Sequence, residues 1–229
     1  MDASNKILSM NLKGQQRQDV LFVMLEIVQR QKQFNQYYVF LLGMGFLDSR
    51  KLSSHFSLVH IVMKSYKEKL IGTDRSFLMC TQCSYWDKFQ LMTDLKIKGV
   101  KNLGSFLAHL LHRRLVPVTM LKKIDFRLVF RGYWLLINYF SEINKKLAAF
   151  LKEMILALIS LSTQKEISDI FVKLHFSSEL KMFREGFAMF VRHFVLKDTN
   201  FMAEQNEKTK ETLILIEHAI RKKDSSFML

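Results

Sequence analysis

Helix-breaking residues are scarce in this chain, and that scarcity constrains the fold more than any other feature. One proline, Pro117, and eight glycines occur in 229 residues. Proline removes a helical hydrogen bond and glycine weakens a helix, so long and uninterrupted helices are favoured. Sandwiches and barrels need frequent turn residues, and this chain does not have them. Apolar residues make up 49% of the chain, which is enough to build a buried core.

Apolar side chains recur at helical spacing along most of the sequence. In residues 15–32, for example, Val20, Met24, Ile27 and Val28 lie on one side of an amphipathic helix. The same pattern predicts helices over 37–46, 74–95, 100–112, 133–160, 163–173, 178–196 and 203–222, with a less regular one near 53–72. Because no alternating strand pattern appears, the sequence predicts an all-α protein, a stacked array of antiparallel helix pairs.

Several local signals predict where these helices begin and which residues they bury. Asp74 is the expected cap of the helix 74–95, and Ser177 or Ser178 that of the helix 178–196. Pro117 suits the first turn of a short helix. Aromatic and aliphatic anchors predict a core containing Trp86, Phe89, Leu107, Leu110, Leu111, Phe187 and Phe190.

The charge balance predicts an anionic partner. The chain has 35 Lys and Arg against 21 Asp and Glu, a formal net charge of +14. A field of that sign attracts RNA, DNA, acidic proteins or anionic lipid. The alternative interpretation is a set of solvated helix ends, since cations near helix C-termini are mildly stabilising, and aromatic residues are not interleaved among the clusters. The predicted anionic-partner or RNA face comprises Lys96, Lys98, Lys101, Arg113, Arg114, Lys122 and Lys123.

Two cysteines and two histidines suggest a zinc site, which has to be weighed against packing. Cys80 and Cys83 are three residues apart, as are His109 and His112. Tetrahedral zinc needs four such ligands to converge, but both pairs lie within helical patterns, where free cysteine packs as a small hydrophobe. No Ser or Cys nucleophile and no paired carboxylates beside a histidine are recognisable. We therefore expect no metal, no cofactor and no enzymatic activity.

The segment from Lys122 to Phe126 fits a loose docking pattern for protein phosphatase 1. In that pattern Ile124 and Phe126 are the anchor residues of a peptide that binds as an extended strand. The alternative is that both side chains belong to the core. Protein phosphatase 1 is thus one candidate partner.

The sequence also predicts an intracellular and soluble chain. Its first residues lack the charged and apolar regions of a signal peptide, and no window reaches the ~18 apolar residues that a membrane span requires. The nearest candidate, residues 147–161, is interrupted by Lys152 and Glu153.

Taken together, these motifs resemble the MA-3 domain and the following tail of the nucleolar MIF-4G-domain protein family. The most specific elements are Tyr-Trp-Asp-Lys-Phe at residues 85–89 and Ala-His-Leu-Leu at residues 108–111. The resemblance extends through residues 12–17, 34–38, 82–89, 102–103, 108–111, 124–126, 150–151, 170–171 and 180–197. Residues 43–73 and 130–146 depart from the family pattern, and the N-terminal MIF-4G domain of the family is not found, so we interpret the chain as a truncated or variant form.

The resemblance implies the fold, domains and role of the chain. It implies a HEAT-like or ARM-like helical repeat of MA-3 type over residues 12–126, with a divergent insertion at 43–73, and a C-terminal helical extension over 145–222. It further implies a nucleolar, and hence nuclear, scaffold in pre-ribosomal RNA processing and small-subunit biogenesis, with a DEAD-box RNA helicase of the initiation-factor-4A type and pre-ribosomal RNA as partners. The alternative is a splicing or translation regulator that binds the same helicase group through an MA-3 domain.

Overall fold

The computed structural model describes residues 6–43 except 8, 75–126 except 125, and 142–221 except 176 and 177. Within these residues every regular element is a helix, so the predicted all-α fold is confirmed. The α-helices are α1 Gln15–Arg30, α2 Tyr37–Gly43, α3 Arg75–Gln90, α4 Ile97–His112, α5 Glu142–Leu161, α6 Gln164–Val172, α7 Lys181–Phe190, α8 Thr199–Ala203 and α9 Glu207–Arg221. Short 3-10 turns at Met92–Asp94, Val118–Lys123, Lys173–His175 and Ser178–Leu180 connect them, and Val191–Leu196 is a π-helix.

Several predicted elements fall wholly or partly outside the described residues. These are the cap Asp74, most of the insertion 43–73 with its expected helix, the start of the helix 133–160, and residue 222. The predicted boundary between residues 126 and 145 stays a prediction. The helices α4 and α5, which lie on either side of it, pack along each other and share one core.

Contacts between side chains show how the helices stack. Arg17 meets Ser76 and Glu26 meets Lys88, so α1 and α3 run parallel. In the same way Ser105 donates to Glu153 at 3.0 Å, and His112 contacts Ser162 at 2.7 Å, so α4 and α5 run parallel. Parallel packing between helices that are not consecutive in the chain is typical of a stacked helical array.

Two glycines allow α4 to lie close to the helices on either side of it. A Cβ atom on Gly99 would be 2.7 Å from the carbonyl oxygen of Gln29, and one on Gly104 would be 2.7 Å from that of Phe150. Both distances are shorter than van der Waals contact allows, so the absence of a side chain sets the spacing between the helices. The two glycines thus place α4 at the centre of the fold.

Two sequence predictions about helix ends and types are wrong in detail. The segment 178–196 is a 3-10 turn, then α7, whose own N-cap residue is Leu180, then a π-helix. Ser177, one of the two predicted caps of this segment, lies outside the described residues. The spacing of apolar residues in the sequence does not distinguish an α-helix from a short π-helix. The wider turn of a π-helix only shifts the line of buried side chains around the helix. The predicted helix 203–222 is α9 alone. The separate helix α8 precedes it, and the side chain of Asp198 caps α8.

The core predictions are mostly confirmed, with one shift in register. Five of the predicted residues, Leu107, Leu110, Leu111, Phe187 and Phe190, are at most 1% exposed. Trp86 and Phe89 are only half-buried, whereas Tyr85 and Lys88 face the interior. The buried face of α3 is therefore the one that carries Tyr85 and Lys88, and not the predicted one that carries Trp86 and Phe89. Lys88 can lie on the inner face because Glu26 neutralises its charge.

Candidate nucleic-acid interface

The predicted basic residues lie at the two ends of α4 and in the turn beyond it. Lys96 is the residue before α4, and Lys98 and Lys101 belong to its first turns. Arg113 and Arg114 follow its last residue. The 16 residues of α4 separate these groups by roughly 24 Å along the axis. Two further lysines, Lys122 and Lys123, end the 3-10 turn.

The lysines at the start of α4 lie where positive charge does not stabilise a helix. Lys96, Lys98 and Lys101 are exposed, and the first turn of α4 contains no acidic residue. The N-terminus of a helix carries a partial positive charge from its unpaired N–H groups, so lysines there oppose the dipole. The alternative interpretation of the basic clusters, in which lysines stabilise the C-terminal ends of helices, therefore does not apply to these three residues. Lysine charge and the positive end of the helix dipole together attract anions.

The two arginines at the other end of α4 have different roles. Arg113 is half-buried, with its guanidinium carbon 4.5 Å from the centre of the Phe40 ring. Burial lowers the pKa of Arg113. Arg114 is exposed, has a φ of +57° and lies 3.8 Å from Asp169 in an ion pair. Arg113 is thus part of the packing, and Arg114 is available to a partner.

Arg114 also ends α4 through its left-handed backbone. Its N–H bonds to the carbonyl of Leu111 at 2.9 Å, and the N–H of Leu115 bonds to the carbonyl of Leu110 at 2.9 Å. This is the Schellman arrangement, in which the left-handed position is usually glycine. An arginine at this position costs backbone energy that glycine would not.

The last pair of lysines is partly committed to an aromatic ring. Lys122 and Lys123 are exposed, and the ammonium of Lys123 is 5.3 Å from the centre of the Trp86 ring. The Trp86 indole N–H donates to the carbonyl of Met120 at 2.8 Å, which fixes the ring. The sequence shows no aromatic residues among the basic clusters, but the fold brings Trp86 and Phe40 to them.

The structure adds basic residues that the predicted face did not include. Arg192 and Lys197 lie in and just after the π-helix, and Arg221 ends α9, which packs against it. Arg192 and Lys197 are isolated in the sequence, and only the packing of α9 brings Arg221 to them. The basic cluster that begins at Arg221 is visible in the sequence, and its remaining residues lie outside the described part.

The cysteine and histidine pairs are placed on neighbouring helices without forming a metal centre. Cys80 and Cys83 are half-exposed on α3. The Nδ1 atom of His112 lies 2.7 Å from the Ser162 hydroxyl, and His109 stacks on Phe34 with ring centres 5.0 Å apart. No group of three or more His, Cys, Asp or Glu side chains positioned to hold a metal occurs in the described ranges.

His109 is held in its neutral form by its surroundings. Burial lowers the pKa of His109 to about 4, and the positive charges of Arg113 and His112 contribute to the shift. The side chain is 7% exposed and lies on the Leu-rich face of α4. A neutral imidazole packed against Phe34 is a structural residue, as its place on the apolar face predicts.

The two anchor residues of the phosphatase docking pattern are buried. Ile124 and Phe126 are 4% and 5% exposed. The centre of the Phe126 ring lies 5.4 Å from the ring centre of Phe183 and 5.7 Å from that of Phe187. A Cβ atom on Gly186 would be 2.6 Å from the Cβ atom of Phe126. Docking as an extended strand requires both side chains to leave the core, so phosphatase binding stays a prediction for the released segment.

The fold, together with the basic residues at the two ends of α4, defines the class of this protein: stacked α-helices with a positively charged surface. The chain is similar to the mouse and human proteins named nucleolar MIF4G domain-containing protein 1, with 27% and 26% identity over 219 residues, or 96% of this chain. It is 23% identical to the homolog of that protein in Drosophila melanogaster over 210 residues, or 92% of this chain. The resemblance stated from the sequence is therefore confirmed.

The matched region is a small part of these relatives. The chain spans 21% of the mouse protein, 20% of the human protein and 19% of the fly protein. No family model and no solved structure matches the chain. None of the described helices is both long enough and apolar enough to cross a membrane.

Proposed function

We propose that this chain is a non-enzymatic helical scaffold in nucleolar pre-ribosomal RNA processing and small-subunit biogenesis. The similarity over 96% of the chain to relatives that are named nucleolar carries the proposal. A stacked helical array presents a long surface to large partners, which suits a protein that holds other molecules. On this proposal the chain resides in the nucleolus.

RNA contact is the part of the proposal that the charge distribution supports. Lys96, Lys98 and Lys101 are exposed at the start of α4, where the N-cap residue makes no side-chain capping bond, and Arg114 is exposed at its end. Lysine and arginine contacts to phosphates supply most of the affinity of non-specific nucleic-acid binding. Such contacts position RNA without reading its sequence.

A DEAD-box helicase of the initiation-factor-4A type is the protein partner that we propose. The core of a protein interface is richer in apolar side chains than its rim, and α1 presents Phe22, Val23 and Ile27, which are 36%, 54% and 41% exposed. A V23D/I27D variant is therefore expected to lose capture of the purified helicase. The matched control is M182D/M189D, which changes two exposed apolar residues on α7.

Crosslinking with mass spectrometry from nucleolar extract tests the proposal, because it reports partner and contact face together. We expect crosslinks from the tagged chain to proteins of the small-subunit precursor and to the helicase. Localisation of the tagged chain is the companion measurement. A diffuse cytoplasmic or nucleoplasmic signal, with crosslinks to translation or splicing factors, would contradict the nucleolar assignment and favour the alternative regulator.

A further inference from the structure

A second cluster of basic side chains lies where the π-helix Val191–Leu196 packs against the end of α9. Arg192 and His193 are consecutive in the π-helix, and Lys197 follows His193 by four residues, about one turn further along the same side. Arg221 reaches the cluster from α9. Arg192 and Lys197 are exposed, and the side chain of Arg221 is 48% exposed. These four residues form the π-helix patch.

The π-helix patch brings together groups of like charge. Burial lowers the pKa of His193, and the charges of Lys197, Arg192 and Arg221 lower it further, so these three basic side chains lie around His193. Glu217 forms an ion pair with Arg221 at 2.9 Å and compensates one of the three permanent charges. A bound anion would lower the repulsion among Arg192, Lys197 and Arg221.

The backbone of the patch gives an independent reason to expect a function. A run of six residues in π geometry is rare, and such segments occur frequently at functional sites. Val191 and Val195 are buried in this segment, and Arg192 is exposed between them. The π-helix therefore anchors the patch to the core and presents its charged residues to solvent.

We propose that the π-helix patch binds the phosphodiester backbone of RNA, as a second contact in addition to the basic ends of α4. The inference rests on the proposed function, because it assumes that the chain holds RNA. Arginine can bond a phosphate through two N–H groups, and lysine acts as a point charge. Contacts of this kind are independent of sequence, so the patch lengthens the RNA track without adding base specificity.

Binding of a fluorescein-labelled 20-nucleotide RNA of mixed sequence by the full chain tests the inference. The R192E/K197E variant is expected to bind about tenfold more weakly than the wild type near 0.1 M salt. Its plot of log affinity against log salt should be shallower by about 1.4, since each lost contact to single-stranded RNA removes about 0.7 from the slope. The neutral variant R192Q/K197Q should lose affinity to an intermediate extent.

The K13E/K208E variant is the matched control, because it makes the same change in net charge at two exposed lysines outside the patch. Lys208 is 13 residues before Arg221 on α9, or roughly 20 Å along the helix axis. This control should change affinity by no more than about twofold. Acetylation footprinting provides a second readout, in which RNA should protect Lys197 and leave Lys208 reactive. Unchanged helical circular dichroism shows that each variant is folded.

Three results would overturn the inference in distinguishable ways. If R192E/K197E behaves like its control while K98E/K101E loses RNA binding, the patch is not an RNA contact and the proposed RNA-binding function stands. If millimolar inorganic phosphate alone protects Lys197 and displaces the RNA, the patch is a site for a discrete anion. If the wild-type chain shows no salt-dependent RNA binding at all, both this inference and the proposed RNA contact are wrong.

Discussion

The side-chain amide of Asn102 in α4 donates a hydrogen bond to the main-chain carbonyl of Gln31, at 2.9 Å. The same nitrogen lies 3.2 Å from the carbonyl of Val28, in the last turn of α1. The last carbonyl groups of a helix lack the usual helical partner, and here one side chain donates to the carbonyl of the cap residue Gln31 and adds a second donor to that of Val28, which also accepts the Gln31 N–H at 3.4 Å. Asn102 is 6% exposed, which keeps water from replacing it.

Replacing Asn102 should therefore destabilise the junction of α1 and α4. N102A removes the side-chain donor to the Gln31 carbonyl and leaves the Val28 carbonyl only its 3.4 Å bond from the Gln31 N–H, so we expect the free energy of unfolding to fall by about 1–3 kcal/mol. Urea denaturation followed by circular dichroism measures the change. The matched control N200A, at an exposed asparagine, should change stability by less than about 0.5 kcal/mol. Equal effects of the two variants would contradict the capping role.

Adding one methyl group at Gly104 should push α4 and α5 apart. Alanine in a helix interior normally gains about 1 kcal/mol over glycine. Here the new Cβ would be 2.7 Å from the carbonyl of Phe150, so G104A should instead cost about 1–3 kcal/mol. Thermal unfolding compares it with K101A, a change at an exposed residue of the same helix. A G104A variant as stable as the wild type would show that the two helices are not in close contact.

The stability of the fold should depend on pH through His109. In the folded chain burial lowers the pKa of His109 to about 4, whereas an unperturbed histidine titrates near 6.5. Between these values the unfolded chain binds a proton that the folded chain does not, so stability falls as the pH drops from 6.5 towards 4. Well above pH 6.5 the residue is neutral in both states and does not affect the stability.

The variant H109Q isolates this effect from the titration of carboxyl groups. We expect the wild type to lose about 1–3 kcal/mol more than H109Q between pH 6.5 and 4.5. Denaturant midpoints at a series of pH values provide the comparison. Parallel pH profiles of the two chains would mean that His109 is protonated as easily in the fold as in the unfolded chain.

The two arginines after α4 should separate stability from RNA binding. R113A removes the contact with Phe40 and buried packing, so we expect a loss of about 1–2 kcal/mol in stability. R114G relieves a left-handed arginine and loses only an exposed ion pair, so stability should change by less than about 1 kcal/mol. RNA affinity, measured with the labelled 20-nucleotide RNA, should fall for R114G. If R114G unfolds more readily than R113A, these roles are reversed.

The fold class is predictable because it depends on the helical spacing of apolar side chains and on the scarcity of proline and glycine. Residues 15–32 were predicted as a helix and α1 is Gln15–Arg30. The pair Thr163 and Glu166 forms a capping box that begins α6, close to the predicted residue 163. Such signals are local, and a local signal can be read from the sequence.

Features that depend on contacts between distant residues were not predictable in the same way. Lys88 is 1% exposed because Glu26, from another helix, pairs with it. The close approach of α5 to Gly104 is not predictable either, since nothing in the sequence shows which helix approaches this residue. The π-helix patch has the same origin, because Arg192 and Arg221 become neighbours only through packing.

Crosslinking of RNA to the tagged chain by ultraviolet light in living cells, followed by sequencing of the bound RNA, tests the central claim most directly. A scaffold in nucleolar pre-ribosomal RNA processing should crosslink mainly to precursor ribosomal RNA of the small subunit, and the combined R192E/K197E and K98E/K101E changes should reduce the signal. Recovery of mainly messenger or intron RNA, or of no RNA above an untagged control, would contradict the claim.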